Sequence, residues 1–129
     1  MTCEQLYKQA LAMLPTNTVE DDSLREYVVG WVNLAMREAF HIENSIRRFE
    51  DDPARPVLKT PPSVTSMTDE IPYHTPLAEY AFVYFLASLM CKDDDDNFWA
   101  QDYRSRYIVA LSEAQRLNPE SIVDVYAQE

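Results

Sequence analysis

The stretch Leu77–Cys91, LAEYAFVYFLASLMC, is apolar on nearly every side, with only Glu79 and Ser88 interrupting it. A surface helix keeps one apolar stripe, so a helix apolar around its circumference has to be enclosed by other elements. The run is shorter than the about 20 apolar residues needed to cross a hydrocarbon layer and has charges at both ends, which makes it a core helix and not a membrane span. An acidic turn, DDDDN, separates it from FWAQDYRSRYIVALSEAQRL. In that second arm, at about 100° per residue, Trp99, Ala100, Tyr103, Tyr107, Ala110, Leu111, Ala114 and Leu117 share one arc. Asp102, Arg106, Glu113 and Arg116 fall opposite, so residues 77 to 117 read as a helical hairpin whose second arm packs on one side. Phe98, Ile108 and Val109 lie off the arc and are candidate subunit contacts, with lateral core contact or scattered surface positions as the plainer readings.

A chain of 129 residues with 47% hydrophobic content suits one folded domain. Gly30 is the sole glycine, which leaves little material for tight hairpins or phosphate-cradling loops and favours an all-α fold. A formal charge of −11 opposes sequence-independent binding to a phosphate backbone, so nucleic acid is not an expected ligand. Such a surface suits a basic protein partner, a DNA mimic, or a channel wall that DNA must pass without sticking. Cys3 and Cys91 form no disulfide framework or zinc pattern and read as free thiols in a reducing compartment. No basic segment followed by an apolar one opens the chain, so no secretory signal is expected.

Along the chain, residues 2–14 form a first helix, with Thr2 and Gln5 spaced as a capping box, and Pro15 stops it. Ser23 and Glu26 repeat that spacing before a long helix to about residue 50. Its apolar arc holds Leu24, Tyr27, Val28, Trp31, Val32, Leu34, Ala35, Ala39, Ile42, Ile46 and Phe49, sustained for about seven turns. Glu26, Asn33, Arg37, Asn44 and Arg48 mark its wet side. Val29, Met36 and Phe40 form a second, narrower stripe that packs on the first helix or on an adjacent copy. Residues 51–76 hold six of the eight prolines and no helical period, a loop longer than the about 12–15 residues a compact domain usually tolerates. Its Val57, Leu58, Val64 and Ile71 are candidate partner-binding residues, and VLK and SVT could pair as short strands or dock on another chain. Thr75 and Pro76 are placed to start the core helix. The tail from residue 118 adds Ile122, Val123, Val125 and Tyr126, compatible with a short helix or an added strand. The expected architecture is a small four-helix bundle, 1–117 as one domain with helices near 2–14, 23–50, 76–92 and 97–117, then a tail of 118–129.

No catalytic constellation emerges. Asp93, Asp95 and Asn97 match the opening of a calcium loop, but Phe98 stands where the turn glycine belongs and Arg104 where the closing glutamate belongs, so these aspartates are expected to cap the next helix. Glu38 and His41 have the Glu-x-x-His spacing of di-iron bundles without a second such pair. A buried Glu38 bonded to a tyrosine hydroxyl is the expectation, with no metal, no cofactor and no enzymatic activity.

Residues 61–107, through PPSVTSMTDEIPYH, LAEYAFVYFLASLM, DDDD and FWAQDYRSRY, resemble a group of tailed-phage neck proteins, the head–tail connector or adaptor family. The resemblance implies a small helical subunit in a ring beneath the portal, with loops and C-terminal tail contacting the portal, other neck or tail proteins and neighbouring subunits. It implies a virion protein assembled in the host cytoplasm, in which the acidic charge suits a DNA conduit. The other expectation is an acidic helical inhibitor or DNA mimic that binds a basic host protein.

Overall fold

Thr2 opens the first helix, α1 (Cys3–Met13), through the reciprocal pair its spacing predicts: the Gln5 N–H donates to Thr2 Oγ1 at 3.2 Å and the Thr2 N–H to Gln5 Oε1 at 3.0 Å. Two orphan amides of the first turn are thereby satisfied. The computed structural model describes residues 1–14 and 24–116, so Pro15, Ser23 and the tail lie outside the described residues. Four further α-helices follow: α2 (Arg25–Glu38), α3 (Phe40–Glu50), α4 (Phe82–Asp93) and α5 (Asn97–Arg116). A π-helical turn, Pro76–Ala81, leads directly into α4. The fold is all-α, and among the described residues the one piece of β pairing is an isolated antiparallel bridge between Thr2 and Glu70.

The hairpin of α4 and α5 is the centre of the molecule. Leu77, Phe82, Phe85, Leu86 and Met90 are buried, packed by Leu6, Tyr7 and Leu11 of α1, Val28 and Val32 of α2 and Tyr107 and Ala110 of α5. Each such side chain contributes about 1.5–3 kcal/mol of transfer energy, which is why the apolar arm sits inside. Ser88 does not break it, because its hydroxyl donates to the Ala100 carbonyl at 2.9 Å and ties the two arms together. At the connecting turn, Asp95 adopts a left-handed conformation and Asp96 caps α5, accepting from the Trp99 N–H at 3.3 Å. Tyr103 of α5 donates to the Met13 carbonyl and so brings the end of α1 onto the hairpin.

The expected single helix over 23–50 is two helices. Ala39 leaves helical geometry at φ −95° and ψ 7° and divides α2 from α3. A continuous helix would offer the Met36 carbonyl to the Phe40 N–H. Here that carbonyl accepts the Tyr73 hydroxyl at 2.5 Å. A side chain entering the hydrogen-bond ladder is a recognised cause of a kink, and this one arrives from the proline-rich loop. With the helix broken, a single apolar arc no longer describes it. Tyr27, Leu34 and Phe49 are exposed, whereas Asn44, assigned to the wet side, is buried.

Two further expectations change. Thr75 makes no side-chain cap; the N–H groups of Leu77 and Ala78 bond the His74 carbonyl, so the helical chain begins one residue earlier, and the π turn replaces regular α geometry. The loop is also not detached from the bundle. Val64 and Ile71 lie in the main core, and Leu58 packs against it. The Ile71 N–H bonds the Met1 carbonyl at 2.9 Å, and the Cys3 and Glu4 N–H groups bond the Asp69 and Met67 carbonyls. The loop thus supplies acceptors to the first turn of α1.

Candidate interaction surface

Two asparagines bind the loop to α2 and α3. The Asn33 side chain donates from Nδ2 to the Val64 carbonyl at 3.0 Å and accepts the Val64 N–H on Oδ1 at 2.8 Å. Asn44 repeats the arrangement on Leu58, at 3.0 and 2.8 Å. A primary amide presents a donor and an acceptor side by side, like a neighbouring strand, and meets the backbone needs of an extended residue. VLK and SVT therefore pair with side chains of the bundle and not with each other.

On α3, beside Asn44, lies a buried ionic cluster. Glu43, fully buried, faces Arg47 Nε at 2.9 Å, His74 Nδ1 at 2.8 Å and the His74 N–H at 2.6 Å. Arg47 donates its remaining nitrogens to the Pro56 and Pro72 carbonyls, at 3.0 and 2.6 Å. His74 Nε2 lies 2.9 Å from Glu50. Two prolines and a histidine of the loop are thereby held against α3. The buried carboxylate expected at Glu38 is found at Glu43. Glu38, the last residue of α2, is exposed and faces Arg104 at 3.4 Å, and His41, beyond the break at Ala39, is exposed beside the Phe40 ring. Among the described residues no three His, Cys, Asp or Glu side chains gather as a metal site, and no helix is long and apolar enough to cross a membrane.

Both thiols are buried. Burial, then the charge of Asp69, pushes Cys3 up to about 11; burial, then Asp96 and Asp94, does the same to Cys91, which leaves both protonated and weakly nucleophilic.

The candidate subunit contacts separate by burial. Met36 is in the core, packed inside the protein's own bundle, and Val29 and Phe40 are half-buried. Phe98, Ile108 and Val109 stand in the open on α5, at 73%, 51% and 54% exposure. Eleven residues at about 100° each bring Phe98 and Val109 back to one flank, roughly 16 Å apart, with Ile108 on the other flank. Along the Val109 flank, Tyr80, Tyr84, Asp102, Ser105, Arg106 and Val109 line a groove of about 200 Å³. Its floor continues as a run of rings: Tyr80 to Tyr84 at 5.4 Å, Tyr84 to Tyr103 at 6.5 Å, Tyr103 to Trp99 at 5.8 Å and Trp99 to Phe98 at 5.6 Å between centroids. The opposite flank carries a larger groove of about 430 Å³ between Phe85, Leu89, Lys92 and Arg104.

Among the loop candidates, Val57 is exposed, Leu58 half-buried, and Val64 and Ile71 are taken up by the core. Ile122, Val123, Val125 and Tyr126 lie outside the described residues. Sequence reasoning missed Tyr80, counted as core although nearly half-exposed, and the asparagine and Glu43–Arg47 anchors. The i,i+4 spacing of Glu43 and Arg47 was the available signal, but it also fits an ordinary surface pair. No protein-family model, curated protein or solved structure matches the chain.

Proposed function

We propose that this chain is a structural joining protein of the phage head–tail connector kind, acting through surfaces and without catalysis, cofactor or metal. The observation that carries the reading is the distribution of exposed apolar side chains over several faces of one tightly anchored helical body. Phe98 and Val109 occupy one flank of α5 and Ile108 the other, while Tyr27 and Leu34 lie on α2, Phe49 on α3 and Val57 on the loop. A ring subunit meets two neighbours and an axial partner, so it needs several contact surfaces, whereas a monomeric inhibitor needs one. The acidic balance suits a wall beside DNA. The test is co-assembly with purified portal rings, scored by pull-down and electron microscopy. Full-length protein should decorate the rings, and removal of residues 119–129 should abolish decoration while leaving helicity unchanged. Decoration at unchanged stoichiometry by the truncated protein would remove the tail from the reading.

One feature favours the second reading, an acidic inhibitor of a basic host protein: among the described residues Phe98 is the most exposed large apolar side chain, and it stands just past four aspartates. An apolar anchor rimmed by negative charge fits a basic pocket. Capture of a basic host protein, with portal rings left bare, would select it.

A further inference from the structure

The groove beside Val109 has the composition of a site for an extended proline segment. Aromatic-lined grooves take up proline-bearing chain because the polyproline II conformation is already formed and loses little entropy on docking. Here Tyr80 and Tyr84 stand edge to face along one wall, and Arg106 lies over the Tyr103 ring at 5.9 Å. The preceding π turn adds a residue to the Pro76–Ala81 stretch that carries Tyr80; such turns recur at functional positions. Asp102 lines the groove, and Glu113, one turn beyond Val109 on α5, falls on the same side of that helix; after the Tyr84 hydroxyl, its charge also helps push the Tyr80 phenol up. Arg106 is engaged with Asp102 at 3.0 Å, so the rim carries two carboxylates against one guanidinium.

The same chain carries a segment of complementary form. Residues 57–63, VLKTPPS, run between the two asparagine anchors, with Leu58 held by Asn44 at one end and the next residue, Val64, by Asn33 at the other. Thr60 and Pro61 each precede a proline and are confined to extended conformations, while Pro61 and Pro62 have φ set by their rings. Val57, Lys59, Thr60 and Pro61 are exposed. The segment lies within residues 53–68, the longest stretch bounded by acidic residues that itself contains none, and Arg55 and Lys59 are its cations. On a chain of charge −11 this is a surface that an acidic rim of another copy would attract.

We propose that the groove bounded by Tyr80, Tyr84, Arg106 and Val109 receives the 57–63 segment of a second copy of this chain. The contact is heterologous, groove to strut, and so propagates from copy to copy. It supplies the subunit contact of the connector reading and rests on that reading only for closure into a ring. Anchoring at both ends lowers the ordering cost, which suits a weak contact multiplied on assembly.

The experiment is sedimentation velocity on full-length protein with complementary variants. Wild type should associate reversibly in roughly the micromolar to millimolar range. Tyr80→Ala or Val109→Asp in the groove, and Lys59→Glu or Pro61→Gly in the strut, should each weaken association by about tenfold or more. All four positions are exposed, and far-UV circular dichroism shows whether each variant keeps its helices. A groove variant still offers its strut and a strut variant its groove, so an equal mixture should form one-to-one dimers and stop there. A monomeric wild type through about 1 mM, variants that associate as wild type does, or a mixture that stays monomeric would each overturn the proposal. Groove variants that lose portal decoration but keep self-association would also overturn it, since the occupant would then be the portal. Complementing dimers from a protein that ignores portals would uphold this contact while removing the connector reading.

Discussion

Glu43 is a side chain whose burial is decided by its partners. Alone it would be costly to desolvate; with Arg47, His74 and the His74 amide it becomes the knot between α3 and the loop. Glu43→Ala should cost about 3–5 kcal/mol in urea denaturation, because it leaves the Arg47 guanidinium, only 8% exposed, without its carboxylate. Glu38→Ala removes an exposed pair at 3.4 Å and should cost below about 1 kcal/mol. Similar costs for the two would show that the cluster contributes no more than a surface pair. The two glutamates lie five positions apart; Glu43 continues the buried spacing of Met36 and Ala39, whereas Glu38 falls off it.

At the scale of an element, α2 carries the chain's single glycine in its interior, and a Cβ added at Gly30 would meet nothing within 4 Å. Helical glycine costs about 0.5–1 kcal/mol relative to alanine, through the freedom it keeps in the unfolded chain. Gly30→Ala should therefore raise stability by that amount and lift the thermal midpoint by a few degrees; a lowered midpoint would mean that this face of α2 is packed against a partner in solution. The hairpin and α1 were legible in the sequence because their periodicity and capping box are local. The kink between α2 and α3 was not, since the residue responsible, Tyr73, lies 37 positions from the carbonyl it takes.

Across the whole molecule, two carboxylates outside the core link separate segments to α1. Glu4 of α1 meets the Arg25 guanidinium of α2 with both oxygens, and Asp69 accepts from Thr65 and Ser66 in the turn that docks on α1. The Arg25 hydrogen bonds hold Glu4 below the usual carboxylate range, and the Thr65 and Ser66 backbone donors do the same for Asp69. Both folded-state values are depressed, so the stabilisation is complete above the unfolded carboxylate range and is lost as pH falls through the folded values. Wild type should thus lose more of its thermal midpoint between pH 6 and pH 3 than a Glu4→Gln, Asp69→Asn double variant does. The comparison between variants matters because protonating the other carboxylates also relieves the repulsion of a −11 chain. Equal slopes would show that neither contact is linked to folding.

By itself the sequence determined what short-range physics can decide: an all-α chain, a core helix too apolar to face water, an amphipathic partner for it, and a capping box at Thr2. Those follow from spacing along one chain segment, where neighbours are known in advance. The tertiary structure alone decided that the proline-rich loop is a packed strap, that Asn33 and Asn44 serve it as surrogate strands, and that Tyr80 faces a groove. Each of these depends on which distant backbone arrives opposite a side chain, and a polar residue at a helix border has the same local pattern whether it meets water or a loop.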